Sequence, residues 1–104
     1  MENVMQFSVS ISAEGDREIS LPEIVEFADA VAPYQGIASG AGSMGYGAQL
    51  VVEADHSESA LENALSIFAK CVTTAQLPNW PVTSAETISE IEDFEDEYIG
   101  EQNN

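Results

Sequence analysis

Apolar and polar residues alternate without a break over residues 5–12. Met5, Phe7, Val9 and Ile11 fall on one side, and Gln6, Ser8, Ser10 and Ser12 on the other. A period of two predicts a strand with one buried face, and the opposite face is polar but uncharged. Residues 13–18 read as a loop. Ser20-Leu21-Pro22-Glu23 then has the form of a helix start. The serine hydroxyl accepts from a free N–H group, Glu23 completes a capping box, and Pro22 lies in the first turn, where its missing N–H costs nothing. Ile24, Phe27, Ala28 and Val31 follow at i, i+3, i+4 and i+7, one apolar stripe, and Pro33 and Gly36 end the helix. The period returns to two at Tyr46, Ala48, Leu50 and Val52. This predicts a strand over 46–54, preceded by a weaker strand over 37–41, with the intervening glycines forming the hairpin. Asp55 and Glu58 are expected to open a second helix in capping-box fashion, with Leu61, Ala64, Leu65, Phe68, Val72 and Ala75 turned inward. Leu77-Pro78-Asn79 ends it. Residues 80–88 read as a last strand, placed at a sheet edge because Pro81 has no N–H to donate.

The predicted order is β-α-β-β-α-β. Over residues 5–88 this order resembles the split βαβ, or ferredoxin-like, sandwich. The resemblance implies an α+β fold: a four-stranded antiparallel sheet with its first and third strands central and two helices on one face. Ferredoxin-like domains carry many unrelated functions, so the resemblance names none. The expected organisation is a ferredoxin-like domain over 1–88 and an acidic C-terminal segment over 89–104. In that segment Glu90, Glu92, Asp93, Glu95, Asp96, Glu97 and Glu101 fall within twelve residues. Ile91, Phe94 and Tyr98 recur at helical spacing, with Gly100 as a stop. Three readings stay open for it: docking on a partner, folding back over the chain's own open sheet face or the Trp80 edge, and a disordered solvating tail.

Charge narrows the choice of partners. Nineteen acidic residues face only Arg17 and Lys70, for a net charge of −17. Such a chain repels phosphate backbones and anionic membranes and attracts basic proteins or cations. The same charge also serves solubility alone. The 104 residues, 44% of them hydrophobic, suffice for one modest core. No apolar run approaches the ~20 residues that span a bilayer. The opening MENVMQFSV lacks the basic and apolar regions of a secretory leader, so the cytoplasm is the expected location.

The stretch Gly40-Ala41-Gly42-Ser43-Met44-Gly45 satisfies the G-x-G-x-x-G pattern of dinucleotide sites. That chemistry needs a strand before the glycines and a helix after them, whose N-terminus holds the pyrophosphate, and an acid about twenty residues on for the ribose. Here a strand pattern follows, and position 65 is leucine. The glycines therefore read as turn and bulge residues, or as a place of close approach, and no cofactor is expected. Cys71 reads as a buried thiol and His56 as a surface or capping residue near the second helix start. The acids contain no EF-hand run, and no nucleophile, zinc or Cys-His signature is present, so neither a metal site nor a catalytic site is expected. RNA recognition on this architecture uses sheet aromatics and bases; this chain offers serines and almost no bases.

The expected function is a small non-enzymatic interaction or regulatory protein that binds a basic protein partner, as an inhibitor or nucleic-acid mimic of the phage or defence type does. Glu90, Glu92, Asp93, Glu95, Asp96 and Glu97 are the expected partner-binding carboxylates, with Phe94 and Tyr98 as apolar anchors. The alternative is a homo-oligomerising or small-ligand-sensing regulatory domain that uses the open sheet face, as a homodimer in the first case.

Overall fold

The alternating N-terminal stretch becomes an interior strand in the computed structural model, which describes residues 5–90. Strand β1 (Met5–Glu14) runs two residues further than its pattern predicts. The reason lies across the sheet. Strand β3 (Gly45–Ala54) pairs with all of β1, down to Ala13 opposite Tyr46 and Glu14 opposite Gly45, and so holds those residues extended. Between them come helix α1 (Leu21–Val31), one 3-10 turn (Ala32–Tyr34) and the short strand β2 (Ile37–Ser39). Helix α2 (Ser57–Ala75) and strand β4 (Val82–Glu90) follow. The fold is α+β. The described residues form one four-stranded antiparallel sheet in the order β2-β3-β1-β4, with two α-helices.

One side of this sheet builds the core. Phe7, Val9, Ile11 and Ala13 of β1 and Tyr46, Ala48, Leu50 and Val52 of β3 are buried together with Ile24, Phe27 and Val31 of α1. Helix α2 adds Ala60, Ala64, Phe68, Cys71 and Val72. Its buried stripe is rotated slightly from the predicted one. The two alanines stand at its centre, and Leu61 and Leu65 are only partly buried at its flank. Cys71 is buried as expected; its thiol donates to the Ala30 carbonyl across the helix pair at 3.3 Å, and burial pushes its pKa up.

The start of α2 differs from the sequence reading by one residue. His56, not Asp55, is the N-cap: its Nδ1 accepts from the Ser59 N–H at 3.3 Å. Aspartate is the better cap by intrinsic preference. Here β3 keeps its pairing to Ala54, opposite Met5, and Asp55 and His56 must make the turn out of the sheet.

Four aromatic rings tie the layers together. Phe27 meets Tyr46 and Phe68 edge-on, each with centroids 5.6 Å apart, and Trp80 stacks on Tyr46 at 5.7 Å. The Tyr46 hydroxyl donates to the Pro78 carbonyl at 2.6 Å and accepts from the Trp80 N–H at 3.4 Å. Burial pushes the Tyr46 phenol above its usual pKa. Trp80 therefore belongs to the packing that precedes β4 and not to the strand itself. A side chain at Gly15 would overlap the Trp80 indole, so glycine there lets the ring lie against the backbone.

The predicted capping box of α1 is present. Ser20 Oγ accepts from the Glu23 N–H at 3.3 Å, and the Ser20 N–H donates to Glu23 Oε1 at 2.9 Å. Arg17 grips the same carboxylate with its two terminal guanidinium nitrogens, Nη1 to Oε1 at 3.1 Å and Nη2 to Oε2 at 2.7 Å. The Arg17 hydrogen bond, aided by the Ser20 N–H, lowers the Glu23 carboxyl to a pKa of about 2. The unfolded chain should titrate near the ordinary ~4.3. A depressed folded-state pKa stabilises above that value, and the stabilisation disappears as pH falls toward about 2. Arg17→Ala is expected to move the Glu23 midpoint upward in a side-chain carboxyl NMR titration. An unmoved midpoint would show that Arg17 is not its cause.

Candidate functional site

The face of the sheet away from the helices is built by register. Directly opposed residues of antiparallel strands share a face. Ser10 lies between Gln49 and Glu86, and Ser12 lies between Gly47 and Ser84. On β2, Ile37 and Ser39 extend these two rows past Gln49 and Gly47. Ser8 faces Val51, and Gln6 faces Glu53. The centre of the face is thus neutral and hydroxyl-rich, while Glu14, Glu53 and Glu86 set carboxylates toward its margins. Ser8 is only 8% exposed, and Gln49 Nε2 donates to its Oγ at 3.0 Å.

At one end of this face Gly45 and Gly47 carry no side chains, and a shallow depression of about 330 Å³ opens there. Ser12, Glu14, Ser39 and Ser43 border it. It belongs to the hairpin that holds the G-x-G-x-x-G stretch. Strand β2 precedes the glycines, and strand β3, not a helix, begins at Gly45. Gly40 has φ +125°, and a side chain there would run into the Gly45 carbonyl, so the turn requires glycine. The hairpin also docks on the loop between β1 and α1. Gly42 N–H donates to Ile19 O at 2.8 Å, Ile19 N–H to Ser43 O at 2.9 Å, and Gly15 N–H to Met44 O at 3.0 Å. The Ser43 N–H closes the turn onto Gly40 O at 2.9 Å. The Gly42 and Ser43 amides, which a phosphate cradle would offer to an anion, are thus engaged by backbone carbonyls. What the glycines position is a loop pair and a bare patch of sheet. The motif pattern by itself contains no sign of either, because the Gly15 and Ile19 partners lie 23 to 29 residues away in the chain.

Of the residues expected to bind a partner, Glu90 is the last residue of β4. Glu92, Asp93, Phe94, Glu95, Asp96, Glu97 and Tyr98 lie outside the described residues, as do Ile91 and Gly100. Glu90 thus lies at the end of an edge strand next to β1. Arg17, one of the two bases, is consumed by its ion pair with Glu23 at 2.7 Å. Among the described residues no group of three or more metal-ligating side chains converges, and no helix is long and apolar enough to cross a membrane. No protein-family model matches the chain, and no curated protein or solved structure matches it either.

Proposed function

We propose that this chain is a small, acidic, non-enzymatic interaction protein of the cytoplasm that captures a basic protein partner, in the manner of an inhibitor or a nucleic-acid mimic. The observation that carries this reading is the charge: −17 on 104 residues, with one of the two bases already neutralised by Glu23. A field of one sign steers oppositely charged partners and rejects nucleic acid and anionic membranes. In this reading the carboxylates of Glu90, Glu92, Asp93, Glu95, Asp96 and Glu97 occupy places that phosphates otherwise take on the partner, and Phe94 and Tyr98 anchor in an apolar groove beside them. The scaffold is read as a ferredoxin-like sandwich. The strand order, with β1 and β3 in the middle, supports that reading.

The test compares the full chain with a version lacking residues 91–104, which keeps β4 whole. Affinity for a lysine-rich peptide is measured by calorimetry, with circular dichroism to verify the fold. The deletion is expected to weaken binding at least tenfold. Equal affinity for both versions rules out binding through the acidic segment.

A second reading rests on the neutral centre of the open face, around Ser8, Ser10, Ser12 and Gln49: a regulatory domain that pairs with its own copy or takes a small ligand there. Light scattering over a wide concentration range separates the two. A strict monomer removes the dimer version.

A further inference from the structure

Strand β3 has ten residues, and β1 pairs with every one of them. On its other side β2 pairs only with Gln49, Ala48 and Gly47. Beyond Gln49 no described strand continues that pairing. In an antiparallel strand, alternate residues direct their N–H and C=O groups to each side. Among the described residues, the stretch from Val51 to Ala54 therefore has no strand partner on its outer side. This edge borders a groove of about 350 Å³, lined by Val51, Val52 and Glu53 and by Asn63, Ser66 and Ile67 of α2. Three consecutive β3 residues line it, so the groove runs along the strand's edge and not over one face.

The two open edges of the sheet are not alike. Strand β4 carries register shifts at Ser8/Val9 and Ser12/Ala13, follows Pro81, and exposes Glu86. Bulges, proline and outward charge are the usual protections against strand addition. The Val51–Ala54 edge has no bulge against β1 and no proline, and its one outward charge is the exposed Glu53, which repels acidic strands but not a basic one.

We propose that this half-edge accepts an extended segment of the basic partner as an added strand, in the groove between β3 and α2. The inference rests on the basic-partner reading and specifies how part of that partner is held. Charge complementarity selects the occupant. Glu53 lines the groove, Glu62 directly precedes Asn63 on α2, and the next charged residue along α2 is Lys70. Register refines the choice. Side chains of an added strand share faces with those of β3. One set of alternate positions lies toward Val52 and Ile67 and takes apolar side chains. The other set lies toward Val51 and Glu53 on the open face and takes lysine or arginine. The recognised segment thus alternates apolar and basic residues, with backbone hydrogen bonds supplying affinity and the alternation supplying specificity.

The probe is an eight-residue peptide of alternating valine and lysine, added to the full chain, with amide hydrogen exchange read by NMR. Binding is expected to slow exchange at least tenfold at outward-facing amides between Val51 and Ala54. Methylating alternate peptide nitrogens keeps the charge but removes the ladder, and is expected to weaken binding at least tenfold. Asn63→Trp, at an exposed position, fills the groove and is expected to do the same. If both peptides bind equally and exchange at 51–54 is unchanged, strand addition is overturned while the charge reading stands. If neither peptide binds, both fall. Protection that appears without peptide as protein concentration rises assigns the edge to a second copy and overturns the proposal.

Discussion

Phe27→Ala is expected to lower the unfolding free energy by about 3–5 kcal/mol, the range for removing a buried aromatic ring from a packed core. Phe27 is fully buried and lies edge-on to both Tyr46 and Phe68, so one ring joins α1, β3 and α2. Truncation removes the transfer free energy of the ring, leaves a cavity, and takes a partner from two further rings whose own contacts depend on it. Domains of this size have about 5–15 kcal/mol in total, so the loss takes from about a fifth of the stability to all of it. Urea unfolding of both proteins measures the difference. Leu21→Ala is the control: Leu21 is on the same helix but 64% exposed, and the expected change is within about 0.5 kcal/mol. A loss below ~1 kcal/mol at Phe27 would mean that the ring cluster does not organise the core.

Association with a lysine-rich partner is expected to slow about a hundredfold when salt rises from ~10 mM to ~1 M, as steered encounter gives way to ordinary collision. The Debye length shrinks over that range from about 30 Å to about 3 Å. At low salt the whole −17 charge acts on an approaching partner; at high salt only groups in contact do so. Dissociation should change much less, because it depends on short-range contacts. Stopped-flow mixing at several salt concentrations resolves the two rates. An association rate that ignores salt would remove the charge as the basis of recognition, and the proposed function with it.

Much of the fold could be read in one dimension because the two signals involved are local. A period of two marks β1 and β3, and a period near 3.6 with a capping box marks α1, since each follows from how successive side chains point along a strand or helix. The inward faces of β1 and α1 hold as read, with Met5 and Ala28 only partly buried. The places where the reading slipped are junctions. The end of β1, the cap of α2 and the limits of β4 all depend on how long a neighbouring strand keeps its partner, and no local pattern contains that length.

The functional features divide in the same way. The excess of carboxylates, the lack of bases and the strand after the glycines are properties of residue identity and order, and the chain alone determined them. Only the tertiary structure decided that the hairpin locks onto the loop at Gly15 and Ile19, that Trp80 lies against Gly15, and that β2 stops after three residues beside a ten-residue β3. Those facts come from contacts between distant segments. They arise when strands of unequal length meet around one core, and that mismatch, which no single segment records, is what leaves an edge open.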